Sequence, residues 1–319
     1  MNLKFQISTK VGQSCRSAPK SGRRSNAALP SCIAAFTLVE ILVVVVLMAL
    51  IVLALMAVFS NTQAAFRASI TQTDVLEGGR SVMGLIKSDL EPMTPSFGTN
   101  NGAVNFYANP NQFQYQYQTG PLMQSLAGSG YQRTNVLEKF FILTRQNTTW
   151  TGVGYVVDTT STNYFNPLYR FVATANTMAR NVPALFYTNF LANAVLPISP
   201  ANTNMSHLMD GVVHLTVRAY DTNGVWMTNG YPFGYTHIAR NAQFFTPALG
   251  EVGFYMFSNT LPASVEIQLG LLEDRTLQRA ESLANNATAQ MIYLSNHVGQ
   301  VHLFRQRIPI RNVDPSAYQ

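Results

Sequence analysis

From Ile41 to Phe59 the chain carries nineteen consecutive apolar residues with no charge among them. As a helix at 1.5 Å per residue this run spans about 28 Å, enough to cross the hydrocarbon layer of a bilayer. The helical pattern continues beyond it. Between Ser60 and Leu90 there is no proline, and apolar residues recur at Phe66, Ile70, Leu76, Met83, Ile86 and Leu90. These spacings of three and four, broken around Gly79, describe one helical face, with Arg67, Gln72, Asp74, Arg80 and Lys87 falling largely between them. Pro92 and Pro95 end the element. The pattern predicts one long helix over Phe36–Glu91, with residues 36–59 in lipid and residues 60–91 amphipathic against a soluble domain. Gly78-Gly79 and Gly84 each cost roughly 1 kcal/mol relative to Ala in a helix, so they mark a bend or a close packing contact. Two helices broken at the glycine pair are the alternative.

Past Pro95 the composition shifts to Asn, Thr, Gly, Tyr and Phe, and residues 92–319 read as a globular head. Residues 96–135 read as a strand around Gln112–Tyr117 or as a long loop. Clearer strands are predicted at Phe140–Thr144, Gly154–Val157, Leu168–Ala173, Val212–Tyr220, Val252–Phe257, Ser264–Leu269 and Gln300–Phe304. In Val212–Tyr220 the residues Val213, Leu215, Val217 and Ala219 alternate with His214, Thr216 and Arg218, which predicts one buried face and one polar face. Asp221-Thr222-Asn223-Gly224 supplies a hairpin turn before Val225-Trp226-Met227. A calcium reading of Asp221 and Asn223 is weaker than the turn, because no further acids follow at ligand spacing. Glu273–Ala284 predicts a short helix. A long helix followed by mostly hairpin-connected strands makes the fold class α+β.

Charge changes this picture at one end. The net charge is +6 with a pI near 9.4. Lys4, Lys10, Arg16, Lys20, Arg23 and Arg24 all lie in residues 1–35, which carry no acid, leaving fifteen basic against fifteen acidic residues in 36–319. Both cysteines, Cys15 and Cys32, share that segment, so the remainder offers no disulfide, thiolate metal site or cysteine nucleophile. Residues 1–35 read as a basic leader set aside from the fold, and positive charge ahead of an apolar span holds that side in the cytoplasm. An uncleaved signal anchor or a secretory signal peptide is the plain alternative. Against it stands Phe36-Thr37-Leu38-Val39-Glu40. A lone carboxylate four residues inside what reads as a membrane helix is an energetic anomaly, since an ionised Asp at a membrane helix centre costs about 2.5–3.5 kcal/mol on insertion scales and Glu40 should face a similar penalty.

The Phe36–Glu40 string, placed in register with the span, resembles the type IV pilin and pseudopilin superfamily. The resemblance implies a pilin-like fold, a long N-terminal helix packed on a mostly antiparallel sheet. It also implies cleavage by a prepilin peptidase between Ala35 and Phe36, N-methylation of Phe36, and pairing of Glu40 with the Phe36 ammonium of a neighbouring subunit in a filament. Two ions costly to bury singly offset one another as a pair. Ala35 departs from the glycine usual before the cut, and the leader is longer than most. In the body, Ser88-Asp89-Leu90, Leu168-Tyr169-Arg170, Asp210-Gly211-Val212 through Tyr220-Asp221 to Trp226, and Leu261–Glu266 resemble, in that order, the J-type minor pseudopilins of type II secretion. The chain also looks like prepilin-type cassette proteins found in Verrucomicrobia.

No Gly-x-Ser-x-Gly, phosphate-binding glycine loop or His-Glu-x-x-His is present. Gly152-Val153-Gly154 reads as a strand-edge turn. His207, His214, His237, His297 and His302 lack metal-ligand spacing. Asp158, Asp210 and Glu266 are isolated in sequence. Arg305, Arg307 and Arg311 read as a solvated edge strand rather than a surface for nucleic acid, which the neutral body does not favour. The expectation is a non-enzymatic minor pseudopilin without cofactor or metal. It would sit in the inner membrane by a single span, with its head in the periplasm, among lipid and other pseudopilins or pilins. The alternatives are a type IV pilus minor pilin for adhesion or DNA uptake, and a membrane-anchored surface protein or enzyme using the same signal.

Overall fold

A computed structural model describes residues 37–98, 103–110, 117–118, 121–125, 132–133, 135–159, 164–176, 182–199, 201–228, 239–245 and 251–318. They fall into two compact units divided between Ser60 and Asn61. The leader, Ala35, Phe36, His237 and the Gln112–Gln116 alternation lie outside the described residues.

Helix α1 is Leu38–Leu90, unbroken at Gly78-Gly79. In the first unit its apolar side chains from Leu38 to Phe59 are exposed, and the helix is long and apolar enough to cross a membrane.

The second unit is α+β. Nine strands form one antiparallel sheet: β1 (Val104–Pro110), β2 (Glu138–Gln146), β3 (Thr149–Val157), β4 (Asn166–Asn176), β5 (Met205–Tyr220), β6 (Ala242–Phe244), β7 (Phe254–Phe257), β8 (Ser264–Leu272) and β9 (Val301–Pro309). Their order is β6-β7-β1-β2-β3-β4-β5-β8-β9, with β2 to β5 a run of neighbours consecutive in sequence. The sheet curls. Pairing of β4 with β5 stops at Val212, and beyond it the residues entering β2 run along the vacated edge of β5, where Leu137 bridges Leu215.

Both faces of the sheet are covered, which the alternation pattern did not anticipate. On β2, Phe140 and Ile142 join Val75, Val82, Met83, Ile86 and Leu90 of α1 in one core. Phe141 and Leu143 join Phe186 and Phe190 of α2 (Val182–Asn193) in another. A continuous apolar run such as Phe140–Leu143 is what a strand buried on both faces requires. A third cluster forms under α3 (Asp274–Ser282) and α4 (Ala287–Asn296), which link β8 to β9.

Three expectations are corrected. Val213 does not share a face with Leu215 and Val217. Gly270 pairs with His214 and Leu271 with Val212, so Val213 is the extra residue of a bulge and packs in the third cluster with Leu277 and Leu294. His214 and Thr216 are buried rather than on a solvated face, because the residues entering β2 cover them. Gly152-Val153-Gly154 lies inside β3, not at a turn. A Cβ on Gly154 would sit 2.3 Å from the ring of Phe190, and one on Gly152 would sit 2.9 Å from Phe141 and Phe186. Glycine in a strand interior here marks the close approach of a helix.

Gly79 plays the same part on α1, where a Cβ would meet the Phe304 ring of β9 at 2.3 Å. Gly78 and Gly84 have nothing within 4 Å of that position. Gly79→Ala and Gly154→Ala are therefore expected to lower stability by about 1–3 kcal/mol through overpacking. Gly84→Ala is expected to raise it by up to about 1 kcal/mol through helix propensity. Chemical unfolding of detergent-extracted protein measures both, and equal effects at Gly79 and Gly84 would contradict the packing account.

Candidate functional site

In the first unit the chain places Glu40 in the first turn of α1 rather than deep within it. Thr37 precedes the helix as its cap, and Glu40 is the third helical residue. The backbone N–H and the hydroxyl of Thr37 donate to Glu40 Oε2 at 3.0 and 3.1 Å, and the Glu40 N–H donates back to Thr37 Oγ1 at 3.3 Å. This is a reciprocal capping box, and the negative charge also lies at the favourable end of the helix dipole. The spacing Thr37-x-x-Glu40 carried the signal, but reading Glu40 only as a membrane charge passed over it. Below this turn the helix offers lipid or another helix an uncharged surface from Ile41 to Phe59.

In the second unit two of the strings that carried the J-type resemblance meet. Asp89, near the end of α1, accepts from Arg170 of β4 through both carboxylate oxygens, Nε to Oδ2 and Nη2 to Oδ1, each at 2.9 Å. The Tyr155 hydroxyl of β3 donates to the same carboxylate at 2.5 Å. Burial, with the Asp89 charge beside it, pushes the Tyr155 hydroxyl well above the ordinary tyrosine range, so it stays a donor. A bidentate guanidinium fixes direction as well as distance. Asp89→Ala is expected to cost about 2–3 kcal/mol in unfolding free energy. That is below the value for a fully buried pair, because the Arg170 side chain stays 22% exposed. Asp89→Asn should lose most of the same amount.

The curled seam is polar. Glu138 Oε2 accepts from the Val217 N–H at 2.6 Å, and His214 Nδ1 accepts from the Val136 N–H at 3.0 Å, so side chains stand in for missing ladder bonds on the β5 edge. The second Glu138 oxygen has no hydrogen-bond partner among the described residues. Burial first, and then the nearby Glu251 charge, raise the Glu138 carboxyl well above the usual range. Glu251 is held by Arg218, which also lies 4.9 Å over the Trp226 ring. The folded head binds the Glu138 proton more tightly than the unfolded chain does. The stability from neutral Glu138 is therefore complete below the ordinary carboxyl range and is lost as pH rises through its raised value. Glu138→Gln keeps an oxygen for Val217 and cannot ionise. The stability of the Gln variant relative to wild type should thus climb as pH rises above the ordinary carboxyl range in paired unfolding titrations; parallel curves would contradict this.

Each of the isolated acids noted in the sequence meets a partner, and burial, followed by the Asp158 and Asp210 charges, raises the Tyr169 hydroxyl above the ordinary tyrosine range. Asp158 accepts from the Ile198 N–H at 2.9 Å, Asp210 meets His207 at 3.0 Å, and Glu266 holds Arg305 at 2.9 Å. The acids brought together, Glu138 and Glu251, are 1% and 7% exposed. Arg305 and Arg307 do lie on the edge strand β9, as expected. Arg307 stacks 3.8 Å over Tyr220, and Arg311 pairs with Glu91 across 2.5 Å. Asp221 forms the expected turn, accepting from the Asn223 and Val225 N–H groups at 2.9 and 2.8 Å, with Gly224 at φ +79°. Among the described residues no three His, Cys, Asp or Glu stand together as metal ligands. No family model, no curated protein and no solved structure matches the chain.

Proposed function

We propose that the chain is a minor pseudopilin, a structural subunit of a type II secretion-like filament that works by assembly rather than by chemistry. A prepilin peptidase removes residues 1–35, Phe36 becomes the N-methylated terminus, and Glu40 pairs with that terminus on a neighbour. The helix is then held in the inner membrane by residues 36–59, with the pilin-like head in the periplasm. The observation that carries this reading is the lone carboxylate at the first turn of an exposed, otherwise uncharged span. The junction of Asp89 with Arg170 adds support, because it gives two of the resembling strings one structural task.

The N-terminal mass of membrane-extracted protein is expected to correspond to N-methyl-Phe36; an intact Met1, or a cut beyond Phe59, overturns the reading. The capping box makes a sharper variant available than removal of the side chain. Glu40→Gln preserves the cap, since Gln serves at the third helical position, but it abolishes the charge. Both Glu40→Gln and Glu40→Leu should insert normally and be recruited into an assembly less efficiently than wild type. Recruitment of the Gln variant at the wild-type level would sink the charge-pair role.

A further inference from the structure

Strand β9 ends the sheet order, and no other described strand pairs with its far side. Its register with β8 runs without a break from Val301 against Leu272 to Pro309 against Ser264. One residue further on, the Ile310 N–H donates to the Ala263 carbonyl at 3.0 Å. Backbone groups of an antiparallel strand turn alternately to its two sides, so Ile308, Gln306 and Phe304 also turn theirs to β8. Leu303, Arg305 and Arg307 turn theirs outward, and all three residues are exposed. The opposite end of the sheet offers no comparable edge, because β6 has only three residues.

Beside this edge a groove of about 410 Å³ runs between β9 and α1. Met83, Leu303 and Phe304 line it with apolar side chains, and Arg80, Lys87 and Arg305 stand around it. Gly84 leaves the helix wall bare, with nothing within 4 Å of where its Cβ would stand. A strand edge facing a helix across a groove accepts an extended peptide, whose backbone continues the ladder while alternate side chains enter the groove. Charge selects the kind of peptide. Arg80 and Arg307 make no ion pair among the described residues, while Lys87 faces Glu91 at 3.6 Å and Arg305 faces Glu266 at 2.9 Å. Cations thus outnumber acids along the edge. Two β9 edges brought together would set arginine against arginine, so this edge repels its own copy and fits carboxylates.

We propose that β9 receives an extended acidic segment of a different protein as an added edge strand, antiparallel like its neighbours. Peptide residues directly opposite Arg305 and Arg307 exchange both backbone hydrogen bonds with them and stand on the same face. Acids at alternate positions therefore meet the arginines. The residues between them stand on the other face, with Phe304 and the α1 wall of the groove. The proposal does not rest on the filament reading, since it concerns the head alone and a partner outside any filament.

The test measures binding of a fluorescent acetyl-Thr-Glu-Val-Glu-Val-Glu-Thr-amide to the full-length protein in a non-ionic detergent, by anisotropy. Saturable binding is expected. The same peptide N-methylated on its glutamates keeps every charge but loses the backbone donors that face β9, and should bind roughly tenfold more weakly or worse. N-methylation on its valines, whose N–H groups face away from β9, should leave the affinity unchanged. Simple attraction to the basic residues 1–35 would not tell the two methylated peptides apart. Arg80→Glu with Arg307→Glu should reverse the preference, so that the peptide with lysine in place of glutamate binds better than the acidic one. A misfolded variant would not acquire that preference. Absence of saturable binding by the acidic peptide, equal affinity of the two methylated peptides, or failure of the reversed variant to prefer the lysine peptide overturns the proposal. The N-terminal mass answers separately for the processing reading, and neither result decides the other.

Discussion

The face of α1 formed by Val75, Gly79, Val82, Met83, Ile86 and Leu90 has to be kept from water, and the head is arranged around that requirement. Hydrophobic burial alone does not fix which face is inward. Turning the helix by one residue would rotate it by roughly 100° and carry Arg80 or Asp74 toward the core. Two features remove that freedom. Gly79 lets the Phe304 ring lie against the backbone at one position only. Asp89, next to the innermost apolar residue, is acceptable there because Arg170 and Tyr155 meet it from two different strands. A rotation that kept this carboxylate from water but away from Arg170 and Tyr155 would leave an uncompensated charge. The polar group therefore specifies the orientation that the apolar groups stabilise.

The sheet that receives this helix is covered on its other face by α2, so its strands carry apolar side chains on both sides. Curling brings the start of β2 onto β5 and leaves a seam where no strand supplies the ladder. Glu138 and His214 complete it with side-chain hydrogen bonds. Burial and the adjacent Glu251 both favour the neutral form of the carboxyl in that position. The seam and the helix lock thus solve one problem in two ways, an ion pair at Asp89 and a carboxyl biased toward its neutral form at Glu138.

Much of this architecture was legible in the chain, and the exceptions share a cause. The long helix, its end near Pro92 and seven of the nine main strands follow from periodicity and breakers, because those signals are local. Strands β1 and β6 and helices α2 and α4 were not anticipated. The apolar pair Phe186 and Phe190 of α2 is spaced by four, but its partner surface is created by Gly152 and Gly154, which read as a turn when taken alone. Likewise the bulge at Val213 and the burial of His214 depend on the curl, a contact between segments nearly eighty residues apart. At the candidate sites, the types and positions of Glu40, Asp89 and Arg170 were visible. Their partners across the fold were not, because sequence spacing constrains only neighbours within a turn or a strand.

The capping box alters the energetic argument that first singled out Glu40. If the carboxylate had no partner at the helix entrance, pairing with a neighbour's terminus would be a strong driving force for assembly. Thr37 already supplies two donors to it, and the helix dipole favours its charge, so the lone subunit is not greatly penalised. On the proposed reading, the neighbour's ammonium adds a charge-assisted contact to a group that is already satisfied. The gain on assembly is then the difference between two satisfied states, smaller than the cost of an isolated ion. A small difference of this kind suits register rather than affinity: it discriminates among positions along the filament while the apolar helices and the heads supply the bulk of the attraction. The anomaly in the sequence is thus better understood as a device for choosing a neighbour's position than as a debt that only a neighbour can settle.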